Sequence, residues 1–118
     1  MVAELISVGT EILLGNIVNT NAAYLAEKCA LLGLSLYHQS VVGDNEARME
    51  DTIRRALERS DVVILTGGLG PTKDDLTKEV TAKVFKKALC EDAHTKERIM
   101  EFFQKIHNGE KITENNWK

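Results

Sequence analysis

The chain has 118 residues, of which 43% are hydrophobic and 28% are charged, a composition typical of one globular domain. Its formal net charge of -3 excludes the basic surface that nucleic-acid binding requires. No apolar run approaches the roughly 20 residues of a membrane span, and no basic N-terminal region precedes the first strand, so we expect a cytoplasmic protein without a membrane partner.

Three apolar runs typical of strands alternate with helical patterns along the chain. The runs cover Ala3 to Val8, Leu34 to Val42 and Val62 to Leu65. Strands that alternate with helices predict parallel βαβ units, so we expect an α/β fold with a mainly parallel sheet. After the first strand, Gly15-Asn16 lies between apolar pairs, which predicts a small hairpin or a tight turn.

Four helices are predicted between and after the strands. The first begins near Asn19 or Thr20 and ends at Gly33, and the second begins after Asp44-Asn45. The third covers Asp74 to Lys87. The fourth covers about Asp92 to His107 and ends at Asn108-Gly109. The polar segment Glu114 to Lys118 follows the fourth helix without another strand. We therefore expect a domain that is incomplete at Lys118, with either an exposed sheet edge or a partner that covers it.

The turn between the third strand and the third helix is rich in glycine and is followed by two carboxylates. It reads Thr66-Gly67-Gly68-Leu69-Gly70-Pro71-Thr72-Lys73-Asp74-Asp75. Open α/β sheets bind ligands where their strands end, and glycines let backbone N–H groups approach an anion closely. Phosphate is therefore the expected ligand. Because carboxylates would repel phosphate unless a cation lay between them, we also expect a divalent cation, Mg²⁺, at Asp74 and Asp75.

The glycine turn does not fit the two best-known phosphate-binding motifs. No Gly-Lys-Ser/Thr follows, as a Walker A motif requires, and Lys73 stands where a dinucleotide-binding motif has its third glycine. A plain turn with a helix cap is the alternative, in which one aspartate serves only to oppose the helix dipole. We expect Asp75 to be the ligand and Asp74 to be the capping or solvated member of the pair.

Polar residues also follow the other two strands, at the same predicted edge of the sheet. Asp44 follows the second strand and is interpreted as a further metal ligand or as a plain helix cap. Thr10 and Glu11 follow the first strand and either contact a ligand or start the hairpin. Asn21 belongs to a cluster of polar residues larger than a helix cap needs, so one amide of the cluster is expected to face the pocket.

The segments Gly9 to Asn21 and Thr66 to Thr77, in this order, resemble the N-terminal domain of the competence/damage-inducible protein CinA family. The resemblance covers essentially the whole chain, 1–118, and implies one molybdopterin-binding (MoaB/MogA-like) domain of three layers, α/β/α. In the molybdenum-cofactor branch of this fold, an acidic residue with an apolar-Thr pair follows the glycine loop, which Asp75-Leu76-Thr77 matches. A second acidic residue follows the second strand, which Asp44 matches.

For the CinA branch, the resemblance implies metal-dependent hydrolysis of the pyrophosphate in ADP-ribose. In this hypothesis Asp75 and Asp44 are catalytic, and a divalent cation is held by Asp75, Asp44 and Asp74. The ligand-binding residues are expected to be Gly67, Gly68, Gly70, Pro71, Thr72, Thr10, Glu11 and Asn21. The alternatives are a module that binds molybdopterin or a nucleotide without chemistry, and an inactive fragment that lacks part of the site. We expect a nucleotide-type ligand and a homo-oligomer, and the nicotinamide-mononucleotide deamidase domain of the family is absent from this sequence.

Overall fold

A computed structural model describes residues 1–106 of the 118-residue chain. The strands are β1 (Val2–Val8), β2 (Ser35–Val42) and β3 (Val62–Thr66). The helices are α1 (Thr10–Leu13), α2 (Thr20–Leu31), α3 (Glu46–Arg59), α4 (Thr77–Val84) and α5 (Ala93–Ile106). The three predicted strands are confirmed, each to within one residue.

The strands form one parallel sheet in the order β2-β1-β3. The middle strand, β1, is buried along almost its whole length. Val8 pairs with Val42 and Ser7 pairs with Thr66, so the three strands end at nearly the same level. The turns that follow them therefore lie side by side along one border of the sheet, which we call the carboxyl edge.

Helices cover both faces of the sheet. Successive side chains of a strand point to opposite faces. Accordingly, Ala3 and Leu5 pack against Cys29 of α2, whereas Ile6 and Val8 lie in a second core with side chains from α3 and α4. The described residues thus form three layers, α/β/α, which confirms the predicted fold class.

One charged residue is buried in the central strand. Glu4 accepts hydrogen bonds from Nε and Nη2 of Arg59, at 2.9 and 2.8 Å, and from the hydroxyl of Ser60 at 2.9 Å. The hydrogen bonds from Arg59 are the main cause that lowers the pKa of Glu4 below its usual value of 4.5, against the opposing effect of burial. Because Glu4 lies near the beginning of β1, this ion pair is remote from the carboxyl edge and stabilises the fold.

The predicted hairpin at Gly15-Asn16 is wrong. The chain after β1 forms the helical turn α1 instead, in which the N–H of Leu14 donates to the carbonyl of Thr10 at 2.9 Å. Gly15 then has a φ of +77°, the left-handed conformation that glycine commonly adopts where a helix ends. The tight turn, the other interpretation of this segment, is confirmed.

The third predicted helix begins later than the sequence indicates. α4 starts at Thr77 rather than at Asp74, so the adjacent aspartates lie in the turn before the helix. The interpretation of either aspartate as a residue of the first helical turn is therefore wrong. The turn closes on itself through side-chain hydrogen bonds, which replace the bonds of a helical turn at this point.

The fourth predicted helix corresponds to α5. The carboxylate of Asp92 accepts a hydrogen bond from the N–H of Thr95 at 3.0 Å and so caps the first turn of α5. Its predicted end at His107 to Gly109, and the polar segment Glu114 to Lys118, lie outside the described residues. In the part of the chain that the structure describes, every helix is too short or too polar to cross a membrane.

Candidate functional site

The glycine turn after β3 approaches β1 so closely that two of its positions require glycine. Gly67 and Gly68 have φ angles of +92° and +66°, in the region that L side chains rarely adopt. A Cβ atom on Gly67 would lie 2.1 Å from the carbonyl oxygen of Val8. A Cβ atom on Gly68 would lie 2.2 Å from the hydroxyl of Thr77. The backbone of the turn is thereby fixed against the carboxyl edge.

Thr77 anchors the same turn from the start of α4. Its side chain is buried, and its hydroxyl donates to the carbonyl of Gly67 at 2.7 Å. Its N–H donates to the carbonyl of Gly68 at 3.2 Å. Two carbonyl oxygens that would repel a phosphate are thus satisfied by α4. Thr77 was not predicted to be a site residue. The signal in the sequence was its hydroxyl side chain two positions after Asp75.

Asp75 closes the second half of the turn. Its Oδ2 accepts hydrogen bonds from the N–H of Thr72 at 3.1 Å and from the Thr72 hydroxyl at 2.6 Å. The carboxylate lies over Gly70, where an added Cβ would be 2.7 Å from Oδ2. Pro71 and Asp74 are exposed at the tip of the turn. Because the Thr72 hydroxyl already donates to Asp75, the predicted bond from Thr72 to phosphate requires an exchange of partner.

The ends of β1 and β2 are joined by a reciprocal pair of hydrogen bonds. The hydroxyl of Thr10 donates to Oδ2 of Asp44 and accepts from the N–H of Asp44, both at 3.2 Å. The helix cap of α3 is Asn45, whose Oδ1 accepts from the N–H of Arg48 at 3.0 Å. The interpretation of Asp44 as a plain helix cap is therefore wrong, and its carboxylate is left at the carboxyl edge.

Two further predicted residues lie at the same edge. The Glu11 carboxylate covers the glycine after β1, where an added Cβ would be 2.7 Å from Oε1. The Asn21 amide donates to the hydroxyl of Thr66 at 3.3 Å, directly before the glycine turn. Asn19, of the same polar cluster, caps α2 through Oδ1 as predicted, and its amide donates to the hydroxyl of Ser7 at 2.8 Å. α2 is thus tied to both β1 and β3 beside the site.

The carboxylates expected to hold a metal stand at two ends of this edge. Asp44 follows β2 and Asp75 lies beyond β3, with the central strand between them. Among residues 1–106, no three His, Cys, Asp or Glu side chains form a group that could hold an ion. Mg²⁺ is usually held by one or two carboxylates while substrate phosphates and water complete its shell. Oδ1 of Asp44, which has no hydrogen-bond partner among the described residues, fits that use.

Comparison with known proteins identifies the type of domain. Residues 4–115 match the family model described as "Probable molybdopterin binding domain". The chain is 53% identical over its whole length to a competence-damage inducible protein of Caldanaerobacter subterraneus subsp. tengcongensis. It spans 28% of the length of that relative.

Solved structures show the same fold. The chain is similar to the protein CinA of Thermoplasma acidophilum, with 37% identity and a TM-score of 0.82, over 98% of this chain and 66% of that one. It is also similar to the molybdopterin biosynthesis enzyme MoaB of Thermus thermophilus, with 17% identity and a TM-score of 0.67, over 98% of this chain and 69% of that one. The second likeness extends to the fold alone.

Proposed function

We propose that the carboxyl edge hydrolyses a nucleoside diphosphate sugar of the ADP-ribose type. The chain belongs to the family of probable molybdopterin binding domains and is similar along its whole length to a competence-damage inducible protein, and both findings support the proposal. The observation that carries the proposal is the conformation of the glycine turn. Gly67 and Gly68 are held in left-handed conformations by β1 and Thr77, beside the Thr10–Asp44 pair. A rigid turn of this kind binds a phosphate group without first having to become ordered.

The turn supplies the phosphate-binding groups in this proposal. The N–H groups of Gly67, Gly68 and Gly70 bind the pyrophosphate oxygens, since no side chain at these positions blocks the approach of the ligand. Asp75 keeps the turn closed through its bonds to Thr72. When the phosphate enters, the Thr72 hydroxyl turns away from Asp75 and donates its hydrogen bond to a phosphate oxygen, while the N–H of Thr72 keeps its bond to Oδ2 of Asp75.

Oδ1 of Asp44 would be the direct protein ligand of the cation. The carboxylates of Asp75, Asp74 and Glu11 would add negative charge along the rest of the edge. A bound Mg²⁺ would polarise the phosphoryl oxygen and lower the pKa of a coordinated water. Thr10 orients Asp44 through Oδ2, so that the other carboxylate oxygen faces the ligand.

A pair of neighbouring substitutions tests this role of Asp44. Asp44→Asn removes a charge needed for the cation and should lower the rate of Mg²⁺-dependent ADP-ribose hydrolysis by about 100-fold or more, with little change in melting temperature. Asn45→Ala removes the α3 cap and should cost about 1 kcal/mol of stability without lowering the rate. Hydrolysis and melting temperature are measured on each purified variant. A fully active Asp44→Asn protein would overturn the assignment, and so would a fully active Asp75→Asn protein.

A second candidate function is binding without chemistry. It is favoured by the family model that residues 4–115 match, which is described as a probable molybdopterin binding domain. In this case the same edge binds a pterin or a nucleotide, and calorimetry shows saturable binding while chromatography shows no product. For either function we propose a cytoplasmic protein that assembles as a homo-oligomer, which sedimentation velocity would test.

A further inference from the structure

A second concave surface lies next to the carboxyl edge, on the outer side of β2. This cavity has a volume of about 430 Å³ and lies between α1, the end of β2 and the first turns of α3. Its apolar wall includes Leu13 and Val41, which are 51% and 39% exposed. Its polar wall includes Arg48, Asp51 and Thr52. The volume lies in the range of small-molecule sites, about 300–1,000 Å³.

The arginine in this cavity differs from the others on its helix. Arg48 forms no ion pair or side-chain hydrogen bond with any residue that the structure describes. The remaining arginines of α3 all pair with carboxylates, Arg54 with Glu50, Arg55 with Asp51 and Arg59 with Glu4. The pairing of Asp51 matters for the cavity, because Asp51 is the only carboxylate among the described residues of its lining, and its ion-pair partner is Arg55 rather than Arg48.

The position of Arg48 on α3 is also unfavourable for a cation. It is the third residue of the helix, in the first turn, where the helix dipole favours negative charge. Arg48 is exposed, so water solvates its charge, and neither an ion pair nor the helix dipole occupies or favours the guanidinium. It is therefore available to an anion in the cavity, and the planar guanidinium suits a phosphate group, to which it donates two hydrogen bonds.

We propose that this cavity binds the nucleoside monophosphate half of the substrate, an inference that rests on the proposed function of the carboxyl edge. Arg48 pairs with the phosphate, and Leu13 and Val41 contact the ring of the base. The geometry of the sheet permits one ligand to reach both places. Neighbouring strands are about 4.8 Å apart, so the ends of β3 and β2 are separated by about 10 Å, less than the length of a nucleoside diphosphate sugar.

The test is calorimetric titration of the full chain with AMP in the absence of Mg²⁺. The wild-type protein should bind AMP more tightly than inorganic phosphate or adenosine, because each of these lacks half of the contacts. Arg48→Ala should weaken AMP binding at least 10-fold, and Arg48→Lys should restore part of it. Arg54→Ala, which removes a paired arginine from the same helix, should bind AMP as the wild type does.

The outcomes separate this inference from the proposed function. Equal AMP affinity in Arg48→Ala and the wild type would overturn the inference, even if ADP-ribose is hydrolysed. Adenosine that binds as tightly as AMP would also overturn it, since the phosphate would then contribute nothing. Binding of AMP that depends on Arg48, with no hydrolysis of ADP-ribose, would support the cavity as a nucleotide site and overturn only the hydrolytic function.

Discussion

The close approach of Gly67 to β1 leads to a quantitative prediction for Gly67→Ala. The new Cβ would be placed 2.1 Å from the carbonyl oxygen of Val8, whereas real contacts of this kind are not shorter than 3.0 Å. The left-handed backbone conformation adds about 1–2 kcal/mol for a non-glycine residue, and forcing an extra carbon into packed surroundings adds about 1–3 kcal/mol. We therefore expect a loss of about 2–5 kcal/mol in stability, or about 8–20 °C in melting temperature for a domain of this size.

The matched control is Gly33→Ala. Gly33 has a similar φ of +74°, but an added Cβ meets no atom within 4 Å, so only the conformational cost applies. Thermal unfolding followed by circular dichroism should show a loss of about 1–2 kcal/mol in this variant. Equal losses in Gly67→Ala and Gly33→Ala would refute the argument that the turn is packed against the Val8 carbonyl.

Two further predictions concern the interior of the fold. Because the pKa of Glu4 is lowered in the folded protein, its charge stabilises the fold at pH values above its unfolded pKa near 4.5, and this contribution is lost as the pH falls through its folded pKa. Urea unfolding between pH 3.5 and 7 should show that the free energy of unfolding falls less with decreasing pH in Glu4→Gln than in the wild type. The same pH dependence in both proteins would contradict this role of Glu4. Thr77→Val leaves the Gly67 carbonyl without its hydroxyl donor and should lower the free energy of unfolding by about 1–3 kcal/mol. The loss should be clearly smaller in the control Thr81→Val, because the Thr81 hydroxyl donates to a carbonyl within the helix. Equal unfolding midpoints of the two variants would contradict the anchoring of the turn by Thr77.

The sheet could be predicted from the sequence because its signals are local. β1 and β3 are short apolar runs bounded by polar or glycine residues, β2 ends in the apolar pair Val41-Val42, and the alternation of strands with helices indicated a parallel sheet. The segment at Gly15 could not be predicted in the same way. A glycine in the left-handed conformation serves both a hairpin and the end of a helix, and only the hydrogen bonds from Leu14 and Asn16 back to α1 decide between them.

The site could be located from the sequence but its contacts could not. The glycine turn, Thr10 and Asp44 were placed at one edge because parallel strands end together. The start of α4 was misplaced because Asp75 bonds to Thr72 rather than to a helical turn, a choice that spacing alone does not reveal. The role of Thr77 depends on the fold of the turn, and the cavity at Arg48 depends on which arginines of α3 find partners.

Hydrolysis of ADP-ribose is the most direct test of the central claim, that the glycine turn and the carboxylates of the carboxyl edge form a hydrolytic site. The purified protein is incubated with ADP-ribose and Mg²⁺, and the products are separated by chromatography. Our account predicts AMP and ribose 5-phosphate in equal amounts, with no product when Mg²⁺ is removed by a chelator and a rate about 100-fold or more lower for the Asp44→Asn protein. ADP-ribose that remains intact, while calorimetry shows it bound in the presence of Mg²⁺, would contradict hydrolysis and favour the binding function.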